Sequence, residues 1–192
     1  MPRASAADAA ETAHRILDVA TAHFAEYGYA AASVDELARA AGVTRGAVYH
    51  HYTSKPQLFA AVAAAQQHTV AEAIVQATAT SASDAALRDG SHAFLDAITQ
   101  GAASRILLVD GPAVLGWQEW RKLDAEGPEQ ELRAGLREAG AAPALLDALT
   151  AALSGAMNEL ALWLAAHPDD ADARQQAHAA LDGVLHAVSS RS

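Results

Sequence analysis

The stretch from Ser33 to Tyr52, SVDELARAAGVTRGAVYHHY, constrains the fold of this chain more than any other. Ser33 with Glu36 three residues on is a capping-box pattern, in which each side chain takes an orphan amide of a first turn. A helix is therefore expected to start at Val34. Leu37, Ala38 and Ala41 recur at helical spacing, and Gly42 stands where a helix commonly ends in a left-handed residue that glycine adopts cheaply. Val43 is expected to dip back into the core. Thr44 can cap a second helix through its hydroxyl. On that helix Val48 and Tyr52 share one face, while Thr44, Arg45, Tyr49 and His50 project elsewhere. Two helices joined by a short glycine-containing turn form a helix-turn-helix, whose second helix can enter the major groove of DNA. The pattern alone also fits two packed helices of any bundle, so the flanking sequence has to choose.

Upstream, Thr12 to Tyr27 reads as an amphipathic helix with Ile16, Val19, Ala20, Phe24 and Tyr27 as its core stripe, and residues 1 to about 11 read as a mobile arm. Downstream, Ser54 with Gln57 repeats the capping logic and Pro56 sits in a first turn that has no amide to lose. That helix is expected to run to about Thr80, too long for a small domain, as a strut to the rest of the chain. With these flanks the order ILDVATAHFAEYGYAAASVDELARAAGVTRGAVYHHYTSKPQLF resembles, almost position by position, the amino-terminal DNA-binding domain of TetR-family transcriptional regulators. The strong resemblance covers about residues 12 to 62; Leu108 to Asp124 also looks like a segment found in some members.

Arg45 can bond guanine edges or phosphate, Thr44 and Tyr49 can bond phosphate, Gly46 permits close backbone approach, and Lys55 opens the strut. The resemblance implies that Ser33, Thr44, Arg45, Gly46, Tyr49, His50 and Lys55 occupy DNA-contacting positions, with Arg45 standing where many relatives carry lysine. It implies an all-α chain divided into a three-helix DNA-binding domain with a short arm, residues 1–53, and a larger helical ligand-binding and dimerisation domain, residues 54–192. The expected partners are double-stranded DNA with an inverted-repeat operator, a small-molecule effector and a second copy of the chain.

Charge enters as an objection. The chain has 13 basic and 23 acidic residues, net −10, whereas DNA affinity rests heavily on Lys and Arg at phosphates. The acid is uneven: residues 1–60 carry net −1 and the remainder net −9, so the candidate reader is nearly neutral. The absence of cysteine excludes disulfides, thiolate metal sites and a cysteine nucleophile. No stretch reads as a membrane span or a signal peptide, and a cytoplasmic protein is expected.

Helices are further expected from Asp84 to about Gln100, Ala102 to Val109, Ala113 to about Glu126, Glu129 to Ala139, from Pro143 to Ala166 and from Asp169 to Ser189. Phe94, Ile98, Ile106, Trp117, Trp120, Met157 and Leu160 are candidate walls of an effector pocket, with Asp110 and Asn158 as polar handles for a mainly apolar, uncharged or cationic compound. Leu149, Leu153, Leu164, Leu181, Val184, Leu185 and Val188 are the candidate dimer interface, because the last two long helices carry more apolar surface than one monomer would cover. His92 and Asp96 are four apart, but no HExxH, GxSxG or phosphate-binding glycine loop occurs, so no metal, cofactor or catalytic residue is expected and the chain is read as no enzyme. The reading is a repressor released from its operator by a small apolar ligand. Its rival is an acidic helical ligand-binding or protein-interaction module that does not use its helix-turn-helix.

Overall fold

The structure, a computed structural model, describes residues 6–82, 85–168 and 170–189, together with the backbone but not the side chains of Ala171, Val188 and Ser189. Among these the chain is helical, with no strand. Helix α1 spans Ala6–Ala31, α2 Val34–Ala40, α3 Arg45–Tyr52, α4 Lys55–Thr78 and α5 Ala86–Ile98. Gly101–Ala103, a π-helical Ser104–Asp110 and Gly111–Leu115 run into one another and form α6, residues 101–115. The remaining helices are α7 Trp117–Ala125, α8 Pro128–Glu138, α9 Leu146–Ala165 and α10 Ala171–Ser189.

Helices α1 to α3 enclose Ile16, Ala20, Phe24, Leu37, Ala38 and Val48, and the amino end of α4 closes that core with Leu58, Phe59 and Val62. Phe24 and Phe59 meet edge to face at 5.2 Å, the aromatic geometry that keeps the positive edge of one ring on the negative face of the other. Tyr52 donates its hydroxyl to the Ala13 carbonyl at 2.8 Å, and Arg15 Nε donates to the Ala41 carbonyl at 3.0 Å, tying the ends of α2 and α3 to α1. The same core continues along α4 into the larger domain, through Val70, Ile74, Leu87, Phe94, Leu95, Ile106 and Leu107.

Several local expectations are corrected. α1 begins at Ala6 rather than Thr12, so most of the expected arm is helical, while residues 1–5 lie outside the described residues. Tyr27 is half exposed, not core. It precedes Gly28, which at φ 78° breaks the helical path within α1. α2 starts at Val34, but Ser33 makes no side-chain cap, so the capping box is not formed. The helix expected to stop at Asp110-Gly111-Pro112 runs on to Leu115, because Pro112 falls in a first turn where its missing amide costs nothing; the break comes at Gly116, φ 77°. The helix expected from Pro143 starts at Leu146. The expected starts at Asp84 and Asp169 lie outside the described residues. By length and hydropathy α4 and α9 could each cross a membrane; in the structure both contribute buried residues to the core of the larger domain.

Candidate nucleic-acid interface and ligand cavity

Helix α3 is held by one face and open on the other. Thr44 caps it, its hydroxyl accepting the Ala47 amide at 3.1 Å, and Val48 is buried against α1 and α2. Gly42, at φ 65°, makes the turn from α2. Thr44, Arg45, Gly46 and His50 are exposed, Tyr49 and Ser33 half exposed. The amino-terminal turn of α3 therefore presents a cation, a hydroxyl and bare backbone outward. That is the set of groups that phosphate and base edges recognise.

Two of the cations are already engaged. Arg45 Nη1 lies 2.9 Å from Asp35 Oδ2 on α2, both side chains more than half exposed, and its guanidinium stands 5.4 Å from the centre of the Tyr49 ring. Lys55 places Nζ 4.4 Å from the centre of the Tyr29 ring, and partial burial lowers its pKa. Sequence reasoning missed Asp35, although its position in the first turn of α2 could have suggested a partner for Arg45.

The larger domain is tied to this reader through α6. The Tyr29 amide donates to Asp110 Oδ2 at 2.9 Å, and Arg105 lies 3.8 Å from the same carboxylate. A Cβ on Gly28 would collide with the Arg105 guanidinium, so glycine is required there for space as well as for its positive φ. Asp110 is thus a clasp between domains rather than a pocket handle. On the far side of α6, Trp120 donates its indole N–H to the Leu107 carbonyl at 2.7 Å. Gly111 makes room for that ring.

The expected pocket walls are only partly brought together. Ile98, Ile106 and Trp120 are packed without solvent contact, Leu160 is half buried, and Trp117 is 66% exposed because the Gly116 break turns it outward. Phe94 and Met157 do line cavities. One, of about 110 Å³, lies between α4, α5 and α8 and includes Ile74, Leu87, Gly90, Leu132, Gly135 and Met157. A second, of about 10 Å³, is lined by Phe94, Asp124, Pro128, Leu132, Ser154 and Met157. Behind it is a buried polar network that sequence reasoning did not see. Asp124 Oδ2 accepts from Arg121 at 2.7 Å, Asn158 at 2.9 Å and Ser154 at 3.2 Å, and Arg121 also reaches Glu129 at 2.9 Å. Burial outweighs these partners and raises the Asp124 pKa.

The expected dimer residues are also redistributed. Leu153, Leu164, Leu181 and Leu185 are buried inside the single chain, Leu149 is half buried, and the Val188 side chain lies outside the described residues. Only Val184, 40% exposed, faces outward as expected. Each helix spends its large side chains on its own core. The exposed face of α9 carries Ala148, Ala151, Ala152 and Gly155, and that of α10 carries Ala179, Ala180, Gly183, Val184 and Ala187.

Residues 16–62 match the family described as bacterial regulatory proteins, tetR family, and residues 84–188 match the tetracyclin repressor-like C-terminal domain. The chain is 48% identical over 68 residues to the HTH-type transcriptional regulator SrpR of Pseudomonas putida, a match covering 35% of this chain and 32% of that protein. It is 44% identical over 72 residues to the HTH-type transcriptional repressor AcnR of Corynebacterium jeikeium, covering 38% of each. These matches span less than half the length of either relative. A crystal structure of a TetR-family transcriptional regulator from Pectobacterium atrosepticum superposes with TM-score 0.79 at 30% identity, covering 96% of this chain and 97% of that one.

Proposed function

Since this chain belongs to the TetR family of transcriptional regulators, we propose that it is a homodimeric repressor that reads an inverted repeat with α3 and releases it when a small molecule enters the larger domain. The observation that carries the reading is the first turn of α3, where Thr44, Arg45 and Gly46 are exposed above a buried Val48. Thr44 and Tyr49 supply phosphate donors, Arg45 a base-edge or phosphate donor, and Ser33, His50 and Lys55 border the same surface. Reading both half-sites needs two copies about one turn of DNA apart, and the uncovered faces of α9 and α10 suit a second protomer. The nearly neutral reader makes binding salt-sensitive and dependent on that pairing. A protein that works on chromosomal DNA acts in the cytoplasm.

Effector control has a physical route. α4 is shared by the reader core and the 110 Å³ cavity wall, and Asp110 holds the end of α1. A ligand shifts DNA affinity to the extent that it favours a different setting of these elements. The test is binding of the full-length protein to the best inverted repeat beside its gene. Salt-sensitive saturable binding is expected, and equal affinity for scrambled DNA would overturn the reading.

A further inference from the structure

The two cavities of the larger domain share Pro128, Leu132 and Met157, so only those residues divide the wider space from Asp124. The polar groups beyond them are unbalanced in one direction. Asn158, 6% exposed, gives its amide nitrogen to Asp124 and leaves Oδ1 without a partner. Turning that amide over would set its oxygen against the carboxylate, so the orientation is fixed and the unpartnered atom is an acceptor. Gln67, 3% exposed and beside Gly127 at the start of α8, leaves Oε1 unpartnered as well. The site is short of donors.

Charge points the same way. Asp124 and Glu129 share the single Arg121, and Glu131 and Glu138 stand on the wider cavity with no cation among its walls. An anionic head would find only Arg121, already committed to two carboxylates. A neutral apolar body would fill the space and leave Asn158 Oδ1 unsatisfied, a state that costs about 1–3 kcal/mol.

We propose that this pair of cavities is the effector site and that its ligand is a small cationic amphiphile, with an N–H-bearing nitrogen beside Asp124 and Asn158 Oδ1 and a compact apolar body among Leu87, Leu132 and Met157. The proposal rests on the regulator reading above. A cavity of roughly 150 Å³ holds one benzene ring, so 110 Å³ with its 10 Å³ annex sets the body near one ring in size.

The test uses three probes of one shape, benzylamine, benzyl alcohol and benzoate, titrated into the full-length protein without DNA by calorimetry and thermal shift. Benzylamine should bind at least about ten-fold more tightly than the alcohol, and benzoate should not bind. Asn158→Leu, close in size, should remove the preference for the amine over the alcohol. Ala134→Leu, which fills the wider cavity from its rim, should abolish binding of both while leaving the fold intact. No saturable benzylamine binding at millimolar concentration, benzoate binding as tightly as the amine, or unchanged binding by Ala134→Leu would each overturn the site. Benzylamine that binds in this order yet leaves DNA affinity unchanged would overturn its role as effector site. Failure of the wild type to hold its inverted repeat would instead overturn the regulator reading, and the order of the three probes would still decide the pocket.

Discussion

Asp110 Oδ2 accepts the backbone amide of Tyr29 at 2.9 Å, across 81 residues of sequence. This bond joins the π-helical part of α6 to the last turn of the reader's first helix, beside the glycine that breaks it. π-Helical turns are uncommon and often occur at functional positions. This one ends on the residue that reaches into the other domain.

Asp110→Ala leaves the Tyr29 amide without its charged acceptor and should destabilise the protein by about 1.5–3 kcal/mol, the usual worth of a hydrogen bond to a charged group. Asp110→Asn keeps an acceptor and should cost less. Urea denaturation of both variants measures this; equal loss in the two would show that the bond itself contributes little. Gly28→Ala should lose more than about 1 kcal/mol, because it adds a side chain at positive φ against Arg105.

Arg45→Ala should weaken binding to the inverted repeat by about 1–3 kcal/mol if the guanidinium reads a base edge. Asp35→Asn tests the ion pair from the other side. An exposed pair is worth at most about 1 kcal/mol, so releasing Arg45 and removing a negative charge near phosphate should tighten binding by up to about five-fold. Fluorescence anisotropy at two salt concentrations reads both. Weaker binding by Asp35→Asn would mean that the pair aims the arginine.

Gly183→Glu should give monomers in sedimentation equilibrium without unfolding the chain. Nothing lies within 4 Å of a Cβ at Gly183, and replacing glycine inside a helix favours the helix by up to about 1 kcal/mol. Leu181→Glu is the contrasting control: with Leu181 fully buried, it should unfold the protomer instead. An unchanged dimer mass for Gly183→Glu would move the interface elsewhere.

The raised pKa of Asp124 predicts a pH dependence of defined sign. The folded state holds this proton to higher pH than the unfolded chain, whose carboxylate titrates near pH 3.9. The stabilisation is full below that value and is lost as pH rises through the folded pKa. Asp124→Asn should therefore flatten this part of the stability profile just above pH 4. An identical profile in wild type and variant would refute it.

What could be read in the sequence follows from how local the determinants are. The ends of α2, α3 and α4 are set within a few residues by Gly42, Thr44 and Ser54, and all three helices start where expected. The break at Gly116 was missed because Gly111-Pro112, a stronger local signal, is absorbed by the first turn of a continuing helix. The pocket was misjudged because tryptophan size does not reveal direction. Trp120 finds the Leu107 carbonyl inside, while Trp117, three residues earlier, turns outward. Asp124 and Asn158 are 34 residues apart, and only tertiary packing shows that they are partners.

The exposed alanines and glycines of α9 and α10 bear on cross-talk between sibling regulators in one cell. A face nearly without side chains has little to offer a partner except close backbone contact, which tolerates little added bulk opposite. A paralogue carrying leucine or arginine at the place of Gly155 or Gly183 would be held away by steric clash. By this logic the pairing is insulated through what the surface lacks, and one enlarged residue, present in both copies of a symmetric pair, is felt twice.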